Sequence, residues 1–494
     1  MCQNEVCEKQ KSERSVKRQI LLGLLTNFSS IAPSMSLGFS AVAIPALVSI
    51  TNPNALTDNQ ASWFASIASL ATPFGCFFAG PIADRYGRKT ALFCVNLTCF
   101  LGWIVIAAAH FFSGLQFPIL LLGRILTGLS TGLSSVPATI YMAEISSPKL
   151  RGVFTTWSSI SFAIGVLIIY MLGYALKDSW MIMALFTAVF PCIGILLNAL
   201  FIPESPSWLI AKNRVDEAKL NMCYVFGVKE SNYQVEQEIE SLIKTKTVKN
   251  GTNKSPMSVQ LRKKIKMMMK PAFYNAFVIV VVFFFFQQFS GTFSIVFYAI
   301  SIVENAGVKF DPYLAIVLIG VVRMFSAILL SYITKKFGRR PLAIFSGLGM
   351  SVCMLVLGGY ILLIEQGKVS GDVQSKLLFL PVLLLLLYFF TSTLGFLPLP
   401  FAFAAEVFPT KLRGTATGLS SGIGYFFNFI TVKIYPAMVG SMYKQGVFFF
   451  YGAISFIGTI FVLLCLPETK GKSLADIEEY FGGKKVRRKE NEVV

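Results

Sequence analysis

The chain alternates between long apolar runs and shorter polar stretches. An apolar run of about 20 residues is long enough to cross the hydrocarbon core of a bilayer as an α-helix. We therefore predict an all-α membrane protein with twelve spans, near residues 22–48, 62–83, 91–111, 117–142, 154–176, 180–202, 272–302, 313–334, 341–364, 377–404, 415–440 and 446–466.

A long polar segment separates the sixth run from the seventh. Its patterns VDEAKLNMCYVFG and VEQEIESLIK predict short amphipathic helices at the membrane surface. The expected parts are an amino-terminal tail, a six-helix bundle, a loop, a second six-helix bundle and a basic carboxyl-terminal tail, at 1–19, 20–202, 203–270, 271–467 and 468–494.

Composition agrees with a membrane location. Only 14% of the 494 residues are charged, whereas soluble proteins carry about 25%, and the mean hydropathy is +0.65. The net charge of +19 comes mostly from lysines and arginines between the apolar runs, which is typical of cytoplasmic loops rather than of a nucleic-acid surface. With an even number of spans, both termini are expected in the cytoplasm, and a plasma-membrane protein embedded in the lipid bilayer is predicted.

Enzyme chemistry is not indicated. The nine cysteines occur singly, mostly within apolar runs, as small hydrophobic residues do. His110 is the single histidine, and it ends an apolar run. No metal-ligand cluster, nucleophile–histidine arrangement or acid pair is visible, so we expect neither a metal nor a cofactor.

Several charged motifs occur twice in the same order. AEISSPKLRG at 143–152 is repeated as AEVFPTKLRG at 405–414, displaced by 262 positions (405 − 143). GPIADRYGRK at 80–89 has a weaker echo in TKKFGRRP, and PESPSWL has one in PETKGKSL. The repeats predict two pseudo-symmetric halves, an architecture that many secondary transporters share.

The repeated motifs place acids and bases at the ends of neighbouring spans. Charges are costly at bilayer depth, so such groups stay near the interface and pair. We predict ion pairs that hold helix ends together when the cytoplasmic side is shut; the alternative is simple topological anchoring. The expected gating residues are Asp84, Arg88, Arg124, Glu144 and Arg151 in the first half and Arg339, Arg340, Glu406 and Arg413 in the second.

Two amides lie deep in the seventh apolar run. Gln287 and Gln288 follow VVVFFFF, and the sequence GTF after them predicts a break in the helix. An amide offers both a donor and an acceptor without charge, which suits a neutral polyol. Unpaired, it would be costly at this depth. The pair therefore indicates a solute site or, alternatively, bonds between neighbouring helices.

The motifs also resemble a known family. GPIADRYGRK, GRILTG, AEISSPKLRG, PESPSWL, QQFSG, GRRP, AEVFPTKLRG and PETKGKSL are similar to those of the sugar-porter family of the major facilitator superfamily, most of all its insect trehalose and hexose transporters. The resemblance covers almost the whole chain. It implies twelve helices that work by alternating access, with a sugar bound between the halves and the protein functional as a monomer.

The resemblance also suggests substrate ligands besides the two glutamines. Asn428 matches a family ligand, and Ser159 stands where the family has glutamine. Phe401 and Tyr425 occupy two tryptophan positions, where an aromatic face for a sugar ring is kept. Thr292 and Ser294 flank a position that is usually asparagine. The expected substrate-binding set is thus Gln287, Gln288, Asn428, Ser159, Phe401, Tyr425, Thr292, Ser294 and Arg323.

Arg323 departs most from the family, since hexose carriers often have asparagine in the middle of span 8. An arginine within a span indicates function by default. It would bind an anionic or very polar solute or clamp unwound carbonyls; structural pairing is the alternative.

Coupling to protons is not expected. Proton-driven members carry an acid within span 1, where this chain has Ser40. No Asp or Glu occurs in the middle of spans 1, 4, 5, 7, 8 or 11. Facilitated diffusion of a sugar is therefore favoured; a proton-coupled sugar symporter, a nutrient sensor and a carrier of another polar solute are the alternatives.

Overall fold

The structure is a computed structural model that describes residues 2–49, 54–146, 148–177, 179–228, 233–252, 266, 268–269, 271–305, 310–368, 377, 379–408, 412–470 and 480–481. Regular secondary structure within these ranges is helical. The α-helices are α1 Cys2–Phe28, α2 Ile31–Val48, α3 Asp58–Tyr86, α4 Arg88–Ala108, α5 Gln116–Leu133, α6 Pro137–Ile145, α7 Pro148–Leu176, α8 Trp180–Phe201, α9 Pro206–Ala211, α10 Val215–Phe226, α11 Tyr233–Thr252, α12 Pro271–Phe289, α13 Thr292–Phe297, α14 Ala299–Asn305, α15 Pro312–Lys336, α16 Arg339–Glu365, α17 Leu380–Leu394, α18 Leu399–Val407 and α19 Arg413–Cys465.

Among the described residues, 11 helical stretches are long and apolar enough to cross a membrane. The last, Gly414–Cys465, has 52 residues, about 78 Å of helix at 1.5 Å per residue. That is more than twice the roughly 30 Å of a bilayer core. The helix turns at Tyr443, whose φ of 57° and ψ of 172° are not helical. It therefore supplies two spans, and the prediction of a twelve-helix membrane protein is confirmed.

The chain divides into two compact units, Met1–Lys254 and Ser255–Val494. In each unit, the first and the fourth spans are broken. In the first unit α1 gives way to α2 at Ser29 and Ser30, and α5 to α6 three residues after Leu133. In the second unit the breaks fall between α12 and α13 and between α17 and α18.

The break after α12 was predicted from GTF, and it is confirmed. Gly291 has a φ of +91°, a left-handed conformation that glycine adopts without steric cost. The other three breaks were not predicted. Broken helices matter because their exposed N–H and C=O groups form solute sites in many transporters.

Small residues bring α3 and α5 into backbone contact. A Cβ added to Gly128 would lie 2.2 Å from the carbonyl oxygen of Ala68, and one added to Gly132 would lie 2.1 Å from that of Thr72. This spacing of glycines is typical of closely packed membrane helices. The close approach leaves carbonyl groups of α3 within reach of side chains on α5.

The predicted amphipathic helices of the central segment are present as α10 and α11. Helix α10 has Asp216 and Glu217 in its first turn, where acids favour the helix dipole, and it ends at Gly227 with a φ of 70°. With α9 these helices enclose a small apolar core of Leu209, Ile210, Ala218, Met222, Cys223, Val235 and Ile239.

Candidate functional site: two charge networks and a chain of amides

The first unit contains a charge network in which Arg88 and Glu144 form the central ion pair. Nη2 of Arg88 lies 2.8 Å from Oε1 of Glu144, and Nε donates to Oε2 at 3.0 Å. The Ser205 hydroxyl donates to the same Oε2 at 2.5 Å. Asp84, which is exposed, lies 3.3 Å from Nη1 of Arg88. A bidentate contact of this kind fixes both the position and the orientation of the Arg88 guanidinium relative to the Glu144 carboxylate.

Glu204 completes this network by binding the N-terminus of α4. Its Oε1 accepts the main-chain N–H of Arg88 at 2.8 Å, and its Oε2 accepts that of Lys89 at 3.2 Å. A carboxylate is favoured there because the first N–H groups of a helix lack intrahelical acceptors. A Cβ on Gly87, whose φ is +107°, would lie 2.1 Å from Oε2 of Glu204, so the carboxylate requires glycine at this turn.

The second unit repeats the arrangement. Nη2 of Arg339 lies 2.9 Å from Oε1 of Glu406, and the Thr469 hydroxyl donates to Oε2 of Glu406 at 2.7 Å. Glu468 accepts the main-chain N–H of Arg339 at 2.9 Å and that of Arg340 at 3.1 Å. The two networks therefore use the same contacts, built from residues displaced by 262, 251 and 264 positions (406 − 144, 339 − 88 and 468 − 204).

The two capping carboxylates differ in acidity. Burial raises the pKa of Glu204 above its ordinary value of 4.5, although the N–H donors of Ser205, Arg88 and Lys89 act in the opposite direction. For Glu468, partial burial also acts to raise the pKa, but four main-chain N–H donors outweigh it and leave the pKa below 4.5. Hydrogen bonds to the charged form and desolvation thus balance differently at two equivalent positions.

Apart from Arg124, the predicted gating residues fall into three groups. Arg88, Glu144, Arg339 and Glu406 form the two central ion pairs, with Asp84 beside the first. Arg340 differs from expectation, since its side chain donates to the carbonyl of Leu463 and its main chain binds Glu468. Two further predicted residues, Arg151 and Arg413, lie in the first turns of helices, but their side chains are outside the described part of the chain.

The structure corrects the prediction for Arg124, which does not join an ion pair at a helix end. It is fully buried, and its five N–H hydrogen bonds go to neutral oxygens. Three acceptors are the carbonyls of Ser36, Phe64 and Ala65, and two are the hydroxyls of Ser36 and Ser40. The close packing of α3 on α5 provides the carbonyls of Phe64 and Ala65, and the guanidinium donors are satisfied without a carboxylate.

In the second unit, three buried amides form a hydrogen-bonded chain. Nδ2 of Asn428 donates to Oε1 of Gln288 at 3.0 Å, and Nε2 of Gln288 donates to Oε1 of Gln287 at 3.1 Å. Nε2 of Gln287 then donates to the carbonyl of Leu397 at 2.5 Å, within the break of span 10. All three amides are at most 1% exposed. The chain joins spans 11, 7 and 10 and is uncharged throughout.

Aromatic residues lie near the break of span 10. The Phe401 ring packs edge-on against Phe284 at 4.8 Å and is 6.0 Å from the Tyr425 ring. Phe284 is buried on α12, one turn before Gln288. The predicted aromatic pair, Phe401 and Tyr425, thus occupies one neighbourhood, and both residues are partly exposed.

The remaining predicted ligands have different surroundings. Thr292 is buried, and its hydroxyl lies 3.1 Å from that of Tyr388. Ser294 is fully buried in α13. Ser159 is exposed on α7, and its neighbour Ser158 instead donates to Oδ1 of Asn27.

Arg323 is buried within α15. It is 5% exposed, and its guanidinium carbon lies 5.5 Å from the centre of the Phe389 ring in α17. Stacking on an aromatic face stabilises a buried cation. The arginine that the sequence places in the middle of span 8 is therefore held inside the second unit.

Several residues of these networks were not predicted from the sequence. Glu204, Ser205, Glu468 and Thr469 lie in PESPSWL and PETKGKSL, which were noted only as repeats; their acid and hydroxyl at matching positions were the available signal. Leu397 acts through its carbonyl, which every residue has, so no sequence signal existed. Within the described residues, no group of three His, Cys, Asp or Glu side chains could hold a metal ion.

Known proteins resemble this chain over most of its length. The sequence profile of the family described as "Sugar (and other) transporter" matches residues 11–481. The facilitated trehalose transporter Tret1 of Culex quinquefasciatus is 29% identical over 482 residues, covering 97% of this chain and 89% of that protein. Tret1 of Aedes aegypti is 30% identical over 460 residues, 92% of this chain; the chain spans about half of that longer relative, 54%.

Solved structures share the fold. The proton:xylose symporter XylE bound to 6-bromo-6-deoxy-D-glucose has a TM-score of 0.74 at 20% identity, over 94% of this chain and 100% of that one. Inward-open XylE from E. coli has a TM-score of 0.75 at 19% identity, over 94% and 99% of the two chains. With a family match over nearly its whole length, the chain belongs to the sugar transporter family of multi-pass membrane proteins.

Proposed function

We propose that the protein is a facilitative transporter that carries a sugar such as glucose or trehalose across the plasma membrane by alternating access. The chain of amides from Asn428 through Gln288 to Gln287 is the observation that carries this proposal. It is buried, uncharged and able both to donate and to accept, which is what a neutral polyol requires. The similarity to facilitated trehalose transporters makes trehalose the first sugar to test.

In this proposal the chain comprises two bundles, 20–202 and 271–467, and the second supplies the amides. The sugar hydroxyls bond these amides, and Phe401 and Tyr425 supply apolar faces for the ring. Hydroxyls of Ser159, Thr292 and Ser294 are further candidates. The chain acts as a monomer, and its basic termini and the segment 203–270 lie in the cytoplasm, as the excess of lysine and arginine there favours.

The surroundings of Arg124 support a uniporter rather than a proton symporter. Coupling to protons needs a group that titrates as it passes from a hydrated to a buried state. All five donors of Arg124 are held by neutral oxygens, and Ser40 supplies one of them at 2.8 Å. These five acceptors include no carboxylate, so the hydrogen bonds of Arg124 supply no acid that could bind and release a proton during transport.

The charge networks fit the role of cytoplasmic gates. Each ties the start of one helix to the end of another through an arginine and two carboxylates. When the cytoplasmic side opens, these contacts separate, and when it shuts they re-form. Arg151 and Arg413 remain candidate members of the same gates.

Uptake into proteoliposomes tests the proposal. Labelled trehalose and glucose are offered with and without an imposed proton gradient. At least one of the two sugars should enter, and its internal concentration should reach the external concentration whether or not the gradient is present. Gln288→Leu, which removes the middle amide, serves as the matched variant and should slow uptake. Accumulation above the external concentration that depends on the gradient would establish symport instead.

A second candidate function rests on Arg323. A buried guanidinium stacked on Phe389 suits an anionic solute better than a neutral sugar. If this protein carries an organic anion, or senses one, counterflow should be seen with anions but not with sugars. Arg323→Asn should then abolish it, whereas sugar uptake by Arg323→Asn would favour the first proposal.

A further inference from the structure

Phe396, in the break of span 10, contacts two helices of the second unit. Phe396 is fully buried, and its main-chain N–H donates to the Ser346 hydroxyl in α16 at 2.9 Å. Its ring packs edge-on against Phe283 in α12 at 5.5 Å. Two helices therefore hold a residue that belongs to neither α17 nor α18.

Glycines on two helices form the socket for this ring. A Cβ on Gly347 in α16 would lie 2.7 Å from Cε2 of Phe396, and one on Gly458 in α19 would lie 3.2 Å from Cε1. There is equally little space at the neighbouring Gly395, because a Cβ added there would lie 2.4 Å from the Cβ of Ser346. The ring thus fills a space that side chains at these positions would close.

The residue after Phe396 is the end point of the chain of amides. Leu397 accepts the hydrogen bond of Gln287 through its carbonyl, and its own N–H donates to the carbonyl of Ser392 in α17 at 2.9 Å. The position of the Leu397 carbonyl fixes the direction of the Gln287 amide. Through Gln287 it also fixes how the amides of Gln288 and Asn428 are turned.

We infer that Phe396 is a positioning residue for the sugar site: seated in its socket, it sets the orientation of the Gln287, Gln288 and Asn428 amides through the carbonyl of Leu397. This rests on the proposed function. Phe396 does not touch the sugar and acts only through the amide chain. The substrate affinity therefore depends on a packing contact in the scaffold of the second unit.

Combined variants test this inference through sugar uptake. Phe396→Leu keeps an apolar residue but empties part of the socket, and Ser346→Ala removes the acceptor of its N–H. We expect Phe396→Leu to raise KM about fivefold, the equivalent of one ordinary hydrogen bond, with the maximal rate little changed. In the Gln287→Met background the same change should have almost no effect on KM, because the amide that it orients is gone.

A buried phenylalanine elsewhere in the unit provides the control. Phe448 is 3% exposed and lies ten residues before Gly458 on α19, about 15 Å along the helix. Phe448→Leu should lower thermal stability as much as Phe396→Leu does, without raising KM. Equal KM effects of Phe396→Leu in both backgrounds overturn the inference, as does a KM effect of Phe448→Leu of the same size. Absence of sugar uptake by the unaltered protein would instead contradict the proposed function.

Discussion

Replacing Gly87 with alanine tests how strongly the first charge network depends on one turn. Gly87 has a φ of 107° and a ψ of 162°, a region that residues with a side chain rarely occupy. The added Cβ would also lie 2.1 Å from Oε2 of Glu204, far inside van der Waals contact. The carboxylate must therefore leave the N-terminus of α4.

Two terms contribute to the expected loss of stability. Backbone strain of this kind costs about 1–3 kcal/mol. Losing the bonds between Glu204 and the main-chain N–H groups of Arg88 and Lys89 adds about 1.5–3 kcal/mol, the range for hydrogen bonds to a charged group. The total exceeds the change of about 0.5 kcal/mol typical of an ordinary surface substitution.

Thermal unfolding of the purified protein in detergent measures the effect, and two glycines serve as controls. At Gly80 an added Cβ meets no described atom within 4 Å, so Gly80→Ala should be neutral or stabilising. At Gly338 the φ is −72°, but a Cβ would lie 2.1 Å from Oε2 of Glu468. The unfolding temperature of Gly338→Ala should therefore lie between those of Gly87→Ala and Gly80→Ala. If Gly87→Ala unfolds at the same temperature as Gly80→Ala, the network does not have the role described.

Three further outcomes are expected. Because the pKa of Glu468 is lowered, the stability it contributes is present above pH 4.5 and is lost as the pH falls through the folded pKa; Glu204, whose pKa is raised, instead costs stability as the pH rises above 4.5. Melting temperatures against pH should thus flatten below 4.5 in Glu468→Gln and above it in Glu204→Gln. Ser40→Asp places a titratable carboxylate beside Arg124, so sugar uptake should become dependent on pH, whereas a pH profile as flat as that of the unaltered protein would argue against this account of coupling. Gln288→Leu breaks two bonds of the amide chain and should raise KM about tenfold, and an unchanged KM in uptake assays would remove these amides from the site.

The sequence predicted those parts of the site that are made by side chains in repeated motifs or within an apolar run. Arg88, Glu144, Arg339 and Glu406 were predicted to form ion pairs, without their pairing, because the charged motifs occur twice. The glutamine pair was predicted because an amide within an apolar run demands a partner. The length of the apolar runs likewise gave the twelve spans, since the thickness of the bilayer sets that length.

The missed parts depend on contacts between distant segments. Glu204 is 116 residues from Arg88 (204 − 88), and the repeat of its motif in PETKGKSL does not show which helix it caps. Arg124 was misplaced because its acceptors are mostly main-chain carbonyls, two of which come within reach only when α3 packs on α5. Main-chain groups are the same at every residue, so their use follows from packing and not from a motif.

If the amide chain binds the sugar as proposed, it limits how tightly the sugar is held. Asn428, Gln288 and Gln287 bond one another, and Gln287 bonds the carbonyl of Leu397. A hydroxyl that enters must displace or share bonds that exist, so each new contact replaces another of similar strength and the net gain is small. Weak binding suits a carrier, because a weakly bound sugar is released quickly and turnover stays fast.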